Sequence, residues 1–378
     1  MRRVLPTVSA FILALVLLFS CAAPLRAQQS GEAPGSPIIE LHSGFWINLH
    51  HFLYLQARLR NAAAEPGSRA SKAQPEYSAA PPAGDLTPAE QKTWNAALDA
   101  YARDWSSRDL LGNSDMVIVN DRLAEIENCA DFSGRGAPQC VPGLRADLVA
   151  ALAEAAPIYR AHWWPQHDRE NRAWMAAVTP LVHAMGSDLA TQLSRVYQHP
   201  WAPGRLRVDV VWYAGPEGSY TTLGPAHVTI ASHDSRNQGM AAFEMLFHEA
   251  SHTLAAGVNE SIERHCRALS KPIPRDLWHA LLFYTTGELV RQEVARSPAL
   301  VAGLTPTGVP GGAPANAANA GGAAGTVSTA SYTPYAVRNG LYDHGWNAYE
   351  PALERFWQPY LDGAVDFDTA IAHIISAL

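Results

Sequence analysis

The sequence predicts an α+β protein, predominantly helical, with a small β-sheet placed directly before one histidine-bearing helix. Three observations carry this reading. Apolar residues recur at helical spacing through most of the chain. Alternating β-branched runs are confined to 206–214 and 227–232. Phe247-His248-Glu249-Ala250-Ser251-His252 then follows inside a helix-forming stretch.

Residues 1–27 read as a cleaved secretory leader: Arg2 and Arg3, a continuous apolar core over 11–19, and Leu25-Arg26-Ala27 before Gln28. That apolar run is too short to span a bilayer comfortably. Cys21, after Leu18-Phe19-Ser20, loosely resembles a lipoprotein cleavage site, but Phe19 is bulky for that role and lipid anchoring through Cys21 is the lesser alternative. The expectation is an exported chain, periplasmic or secreted. Losing the leader removes three arginines and no acid, taking the formal charge from −7 to −10. An acidic chain has no electrostatic reason to hold nucleic acid, and no later apolar stretch has membrane-spanning length. Three cysteines remain. Cys129 and Cys140 bracket a Gly/Pro-containing loop and are expected to form a disulfide, whereas Cys266 sits in a helical run as a small buried residue. No cysteine spacing suits zinc, so histidine and carboxylate must supply any metal ligands.

The first element spans 38–59, with Phe45, Leu49, Phe52 and Leu53 on helical spacing. His50 and His51 are adjacent, diverge by about 100° on a helix, and are read as structural. Residues 61–86, rich in Ala, Pro, Ser and Gly, form a linker. Thr87-Pro88-Ala89-Glu90 is a capping box with a first-turn proline, opening a helix to about residue 103 with Trp94 in the core. Helices follow at 115–127, 143–156 and 169–185, and His162 and His167 mark a packed junction between the last two. After the two strands the histidine-bearing helix is placed at 238–255, closed by Gly257, with further helices at 260–269, 275–295 and 366–378. Residues 302–331, nearly all Ala, Gly, Pro, Thr, Ser and Asn, are expected to be a disordered loop. The organisation is thus a leader (1–27), an N-terminal helix and linker (28–86), and one mostly helical domain (87–378) with its catalytic core at 206–295 and a helical C-terminal part at 332–378.

His248 and His252, four apart on a helix, lie about 40° from each other and about 6 Å apart along the axis, so both imidazoles reach one metal ion. By composition such a motif arises by chance about 0.03 times in a chain of this length. Glu249 flanks the pair, where it can touch an activated water without being a ligand.

A catalytic zinc needs three protein ligands and an open position. The metzincin solution fails, because Val258 stands six residues past His252. The stretch at about 227–290 resembles instead the gluzincin branch of zincin metallopeptidases, where a glutamate on a later helix completes the site. That resemblance implies a zincin-like core and points to Glu288, in Phe283-Tyr284-Thr285-Thr286-Gly287-Glu288, with Gly287 allowing close approach to the histidine helix. Glu260, in Asn259-Glu260-Ser261, is the second choice. His279 is set aside because, nine residues before Glu288, it faces the opposite side of that helix. Glu244 is read as an acceptor orienting an imidazole.

The resulting expectation is a secreted zinc metallopeptidase that hydrolyses peptide bonds with a zinc-activated water. Glu249 is the general base, and Tyr284, Tyr335, Tyr342 or His344 stabilises the oxyanion, Tyr284 and His344 being preferred. The strand at 227–232 is expected to take an extended peptide along its edge. The rival readings are a zinc hydrolase of a non-peptide substrate and an inactive secreted binding protein on a zincin scaffold.

Overall fold

A computed structural model describes residues 38–64, 86–135, 138–141, 143–201, 204–299 and 332–378. The leader with Cys21, most of the linker and the loop at 302–331 lie outside the described residues.

The chain is mostly helical with one four-stranded sheet. In order come β1 (Ile39–His42), α1 (Phe45–Ala64), α2 (Pro88–Asp104), α3 (Ser114–Glu125), α4 (Ala146–His162) and α5 (Trp164–Val196). Then follow β2 (Leu206–Val211), β3 (Ser219–Leu223), β4 (Ala226–Ala231), α6 (Met240–Ser251), α7 (Ala256–Ala268) and α8 (Leu277–Arg296). Beyond the loop are a short α9 (Tyr335–Arg338), a helical run through Tyr349–Ala352, the π-helical Leu353–Trp357 and Gln358–Leu361, and α10 (Phe367–Ala377).

Local chemistry accounts for several of these boundaries. Thr87 caps α2 with the full reciprocal box to Glu90. Cys129 and Cys140 form the expected disulfide, and Cys266 is free and buried. Gly257 does not close the histidine helix; it lies inside α7, and α6 instead ends at Ser251 and passes into a tight turn, His252–Leu254. Among the described residues no helix is long and apolar enough to cross a membrane.

The sheet has the order β1-β2-β4-β3, parallel except for the antiparallel β3–β4 pair. Because successive strand residues point to opposite faces, one face carries Val208, Val210, Val228 and Ile230 into a core shared with α5, α6 and α8. The other carries Val211, Tyr220 and Ala231 into a second core built by α1 to α4. The register sets Ser219 opposite Ile230 and Thr221 opposite Val228, so those two hydroxyls share the face that looks at α6. β4 lies between β2 and β3, so the strand expected to bind a peptide is interior; β3 is the outermost strand on that side.

Candidate metal centre

The helix α6 has the composition of a central helix. Met240-Ala241-Ala242-Phe243-Glu244-Met245-Leu246-Phe247 is strongly helix-forming and apolar on nearly every side, and every residue from Ala241 to Ser251 is buried. Gly239, at φ 58°, admits the left-handed turn that starts it. Its last turn carries His248, and the tight turn that follows brings His252 to the same side, with ring centroids 5.2 Å apart.

The third member of the group is His279, in the first turn of α8. One nitrogen from each of His248, His252 and His279 lies within 4.8 Å of the others. His248 Nε2 and His279 Nε2 are 3.2 Å apart. Two nitrogens each bound to a tetrahedral zinc are about 3.3 Å apart, from bond lengths of about 2.05 Å, so the pair is already at ligand spacing. All three rings are held below the ordinary histidine range. Burial pushes His252 to about 4. Burial, then neighbouring His252, pushes His279 to about 4. Burial, then His279 and His252, pushes His248 well below its usual value. They are therefore neutral near pH 7, which is the state in which imidazole offers its lone pair to a metal. Aromatic rings fix their orientation: Phe283 stacks on His248 at 3.6 Å, and Trp278 packs against both His252 and His279.

Glu288 is not in this group. Nine residues place it about 180° around α8 from His279, and there its carboxylate is held by Arg291 at 2.6 and 2.7 Å and by Gln292 at 3.0 Å. The geometric exclusion between the two residues holds, but it selects the histidine. Glu260 lies exposed on α7, outside the group. The signal available in the sequence was the stripe His279, Phe283, Thr286, Val290, at spacings of four, three and four, which shares a side of α8 with Gly287. Gly287 does permit close approach: a Cβ there would stand 3.0 Å from Glu244 Oε1 and 2.6 Å from the Pro334 ring.

Glu244 does not orient an imidazole either. It accepts hydrogen bonds from Tyr332 Oη at 2.5 Å and from the Tyr335 backbone N–H at 2.9 Å. Burial, opposed by these donors, raises it to about 7. His248 Nδ1 has no hydrogen-bond partner among the described residues, so stacking on Phe283 does the orienting.

Glu249 stands beside the histidine group. Its Oε2 is 3.8 Å from His252 Nε2, while Ser219 Oγ donates to Oε1 at 2.6 Å and Thr221 Oγ1 to Oε2 at 2.7 Å. Burial raises this carboxyl above its usual range, with the two hydroxyls pulling the other way.

These groups line a cleft of about 640 Å³ whose walls include Tyr54, Leu111, Thr221, Phe283, Tyr335 and Trp346. Of the four candidate oxyanion donors, Tyr335 alone borders it. Tyr284 Oη donates to Gln358 Oε1 at 2.9 Å, and His344 is exposed with Nδ1 bonded to Gly340 O at 2.7 Å, so neither faces the cluster. Tyr342 is buried away from the cleft.

Compared with protein-family models, with curated proteins and with solved structures, the chain matches none.

Proposed function

We propose that the protein is an exported zinc-dependent hydrolase of peptide bonds, a zincin-like enzyme whose ligands are His248, His252 and His279. The observation that carries the reading is the convergence of three neutral imidazoles beside a buried carboxylate on the wall of an open cleft. Nitrogen donors of this kind favour zinc over the oxygen-seeking magnesium and calcium. A bound zinc supplies Lewis acidity to a water and to a substrate carbonyl.

The chain's own groups do the rest. Glu249 takes a proton from the attacking water and returns it to the leaving amine. Tyr335, whose hydroxyl burial pushes up to about 12, stays protonated at neutral pH and donates a hydrogen bond from the cleft wall to the developing oxyanion. β3 borders the cleft through Ser219, Tyr220 and Thr221 and pairs with β4 on one side, so its other edge can receive an extended peptide. That feature favours a peptide over a non-peptide substrate. The intact triad and Glu249 argue against an inactive binding protein.

The test is to express the chain from residue 28, measure bound metal, and compare wild type with Glu249→Gln on a peptide library. The expected result is one zinc per chain in both and cleavage by wild type only, reduced about 10²–10⁴-fold in the variant, the usual range for a lost general base. Zinc bound by both with no cleavage by either sinks the peptidase reading.

A further inference from the structure

We infer that Ser219 and Thr221, on strand β3, are positioning residues that aim the Glu249 carboxylate at the histidine cluster. The inference rests on the hydrolase reading above and assigns a task to a strand that carries no part of the H-E-x-x-H motif.

The geometry is specific. Each hydroxyl takes a different carboxylate oxygen, Ser219 at 2.6 Å and Thr221 at 2.7 Å, and Thr221 Oγ1 also stands 2.9 Å from the backbone oxygen of Glu249. Two donors on two oxygens fix both the position of the carboxyl group and the rotation of its plane; a single donor would leave that rotation free. Period-2 alternation is what brings both hydroxyls to one face of the sheet, while Tyr220 between them turns to the other face and bonds His51.

The chemistry of the pair also suits a base. Among the described residues, no lysine or arginine forms an ion pair with Glu249; the ring nitrogen beside it, His252 Nε2, belongs to a neutral imidazole. A guanidinium in place of the hydroxyls would hold the carboxylate harder and weaken it as a proton acceptor. Hydroxyls direct it without setting a full positive charge against it. Each oxygen keeps a further lone pair for a water.

The experiment uses the zinc-loaded chain and a peptide that wild type cleaves. Ser219→Ala and Thr221→Val are each expected to lower kcat about tenfold, with KM within about twofold, because a misaimed base costs rate rather than binding. Ser219→Thr and Thr221→Ser, which keep the hydroxyls, restore most of the loss. A second readout needs no turnover: in the metal-free protein, Thr221→Val is expected to lower Tm by several degrees, and by clearly less in a Glu249→Gln background, since the two side chains are coupled. Unchanged kcat in Ser219→Ala and Thr221→Val, with Glu249→Gln inactive, overturns the inference and leaves the hydrolase reading standing. Additive Tm shifts overturn it as well. If no variant and no wild type cleaves any peptide, the hydrolase reading falls and the inference falls with it.

Discussion

Two sets of desolvated histidines occupy the two halves of this molecule: His50, His51, His167 and His248 are fully buried, and His252 and His279 are partly buried. In the helical half, His51 bonds Ile47 O through Nδ1 and Tyr220 Oη through Nε2, His50 bonds Tyr101 Oη, and His167 bonds Tyr159 Oη. In the other half, His248, His252 and His279 turn ring nitrogens toward one another. Both sets are desolvated and pushed toward the neutral form: His51 and His252 each fall to about 4, chiefly by burial. What separates them is the partner of the ring nitrogen. Each structural histidine bonds a phenol or carbonyl through Nδ1, although His50 Nε2 and His167 Nε2 have no partner among the described residues, whereas ring nitrogens converging on one point describe a site that a cation can complete.

The sharpest break in that comparison comes from the two residues of α8 that competed for the third position. His279→Ala is expected to cut zinc affinity at least about 100-fold, on the scale by which changes around a metal site act. Glu288→Ala should leave zinc content at wild-type level and cost only the local pairing with Arg291, below about 1 kcal/mol for a part-exposed pair. Metal analysis after dialysis against a graded chelator reads both. Zinc loss in Glu288→Ala, with retention in His279→Ala, would reverse the assignment.

The same contrast shows what a linear reading reaches. The capping box at Thr87, the Cys129–Cys140 bridge and the spacing of His248, Glu249 and His252 are short-range facts, and the structure contains them as read. β1 and β3 escaped because they are four and five residues long, and β1 finds its partner far along the chain, Ile39 opposite Leu206. A strand whose pairing is that remote leaves no local trace. His279 escaped for a related reason. Which side of α8 meets α6 is decided by packing, through Gly287, whose missing Cβ lets Glu244 and Pro334 come close, and a glutamate beside a glycine is no guide to it. The pattern of apolar stripes was the better guide, because it reports the buried side directly.

A third kind of histidine sharpens the comparison further. His227 is buried between two carboxylates, Asp209 at 2.6 Å and Asp121 at 3.2 Å. Burial pulls its value down, but the paired acids win and raise it to about 9. Its folded value lies above the ordinary 6.5, so its ionic contacts stabilise the fold fully below about pH 6.5. That contribution is lost as the pH rises through about 9. A shift of this size corresponds to about 3 kcal/mol. Urea unfolding at pH 6.5 and at pH 9.5 should show a fall of that order in wild type, and a clearly smaller fall in His227→Gln. Equal falls in the two proteins would mean that the His227 charge is not what links this face of the sheet to α3.

The smallest effect separates neighbouring residues of one strand. Tyr220 and Thr221 point to opposite faces of β3: the first serves a structural histidine, the second the carboxylate beside the histidine cluster. Tyr220 Oη is bonded to His51 Nε2 at 2.8 Å and accepts from Asn120 Nδ2 at 2.7 Å. Tyr220→Phe strands both buried groups and is expected to cost about 1–3 kcal/mol of stability, measured by denaturant unfolding, with zinc content unchanged. Thr221→Val, isosteric and one residue on, leaves the His51 contact intact. Its stability loss should instead vanish in large part when Glu249 is replaced by Gln, whereas that of Tyr220→Phe should persist in full. If the two variants respond alike to the Glu249 background, the sheet does not keep the hydroxyl that serves His51 apart from the one that serves Glu249, and the alternation of β3 has no bearing on the site.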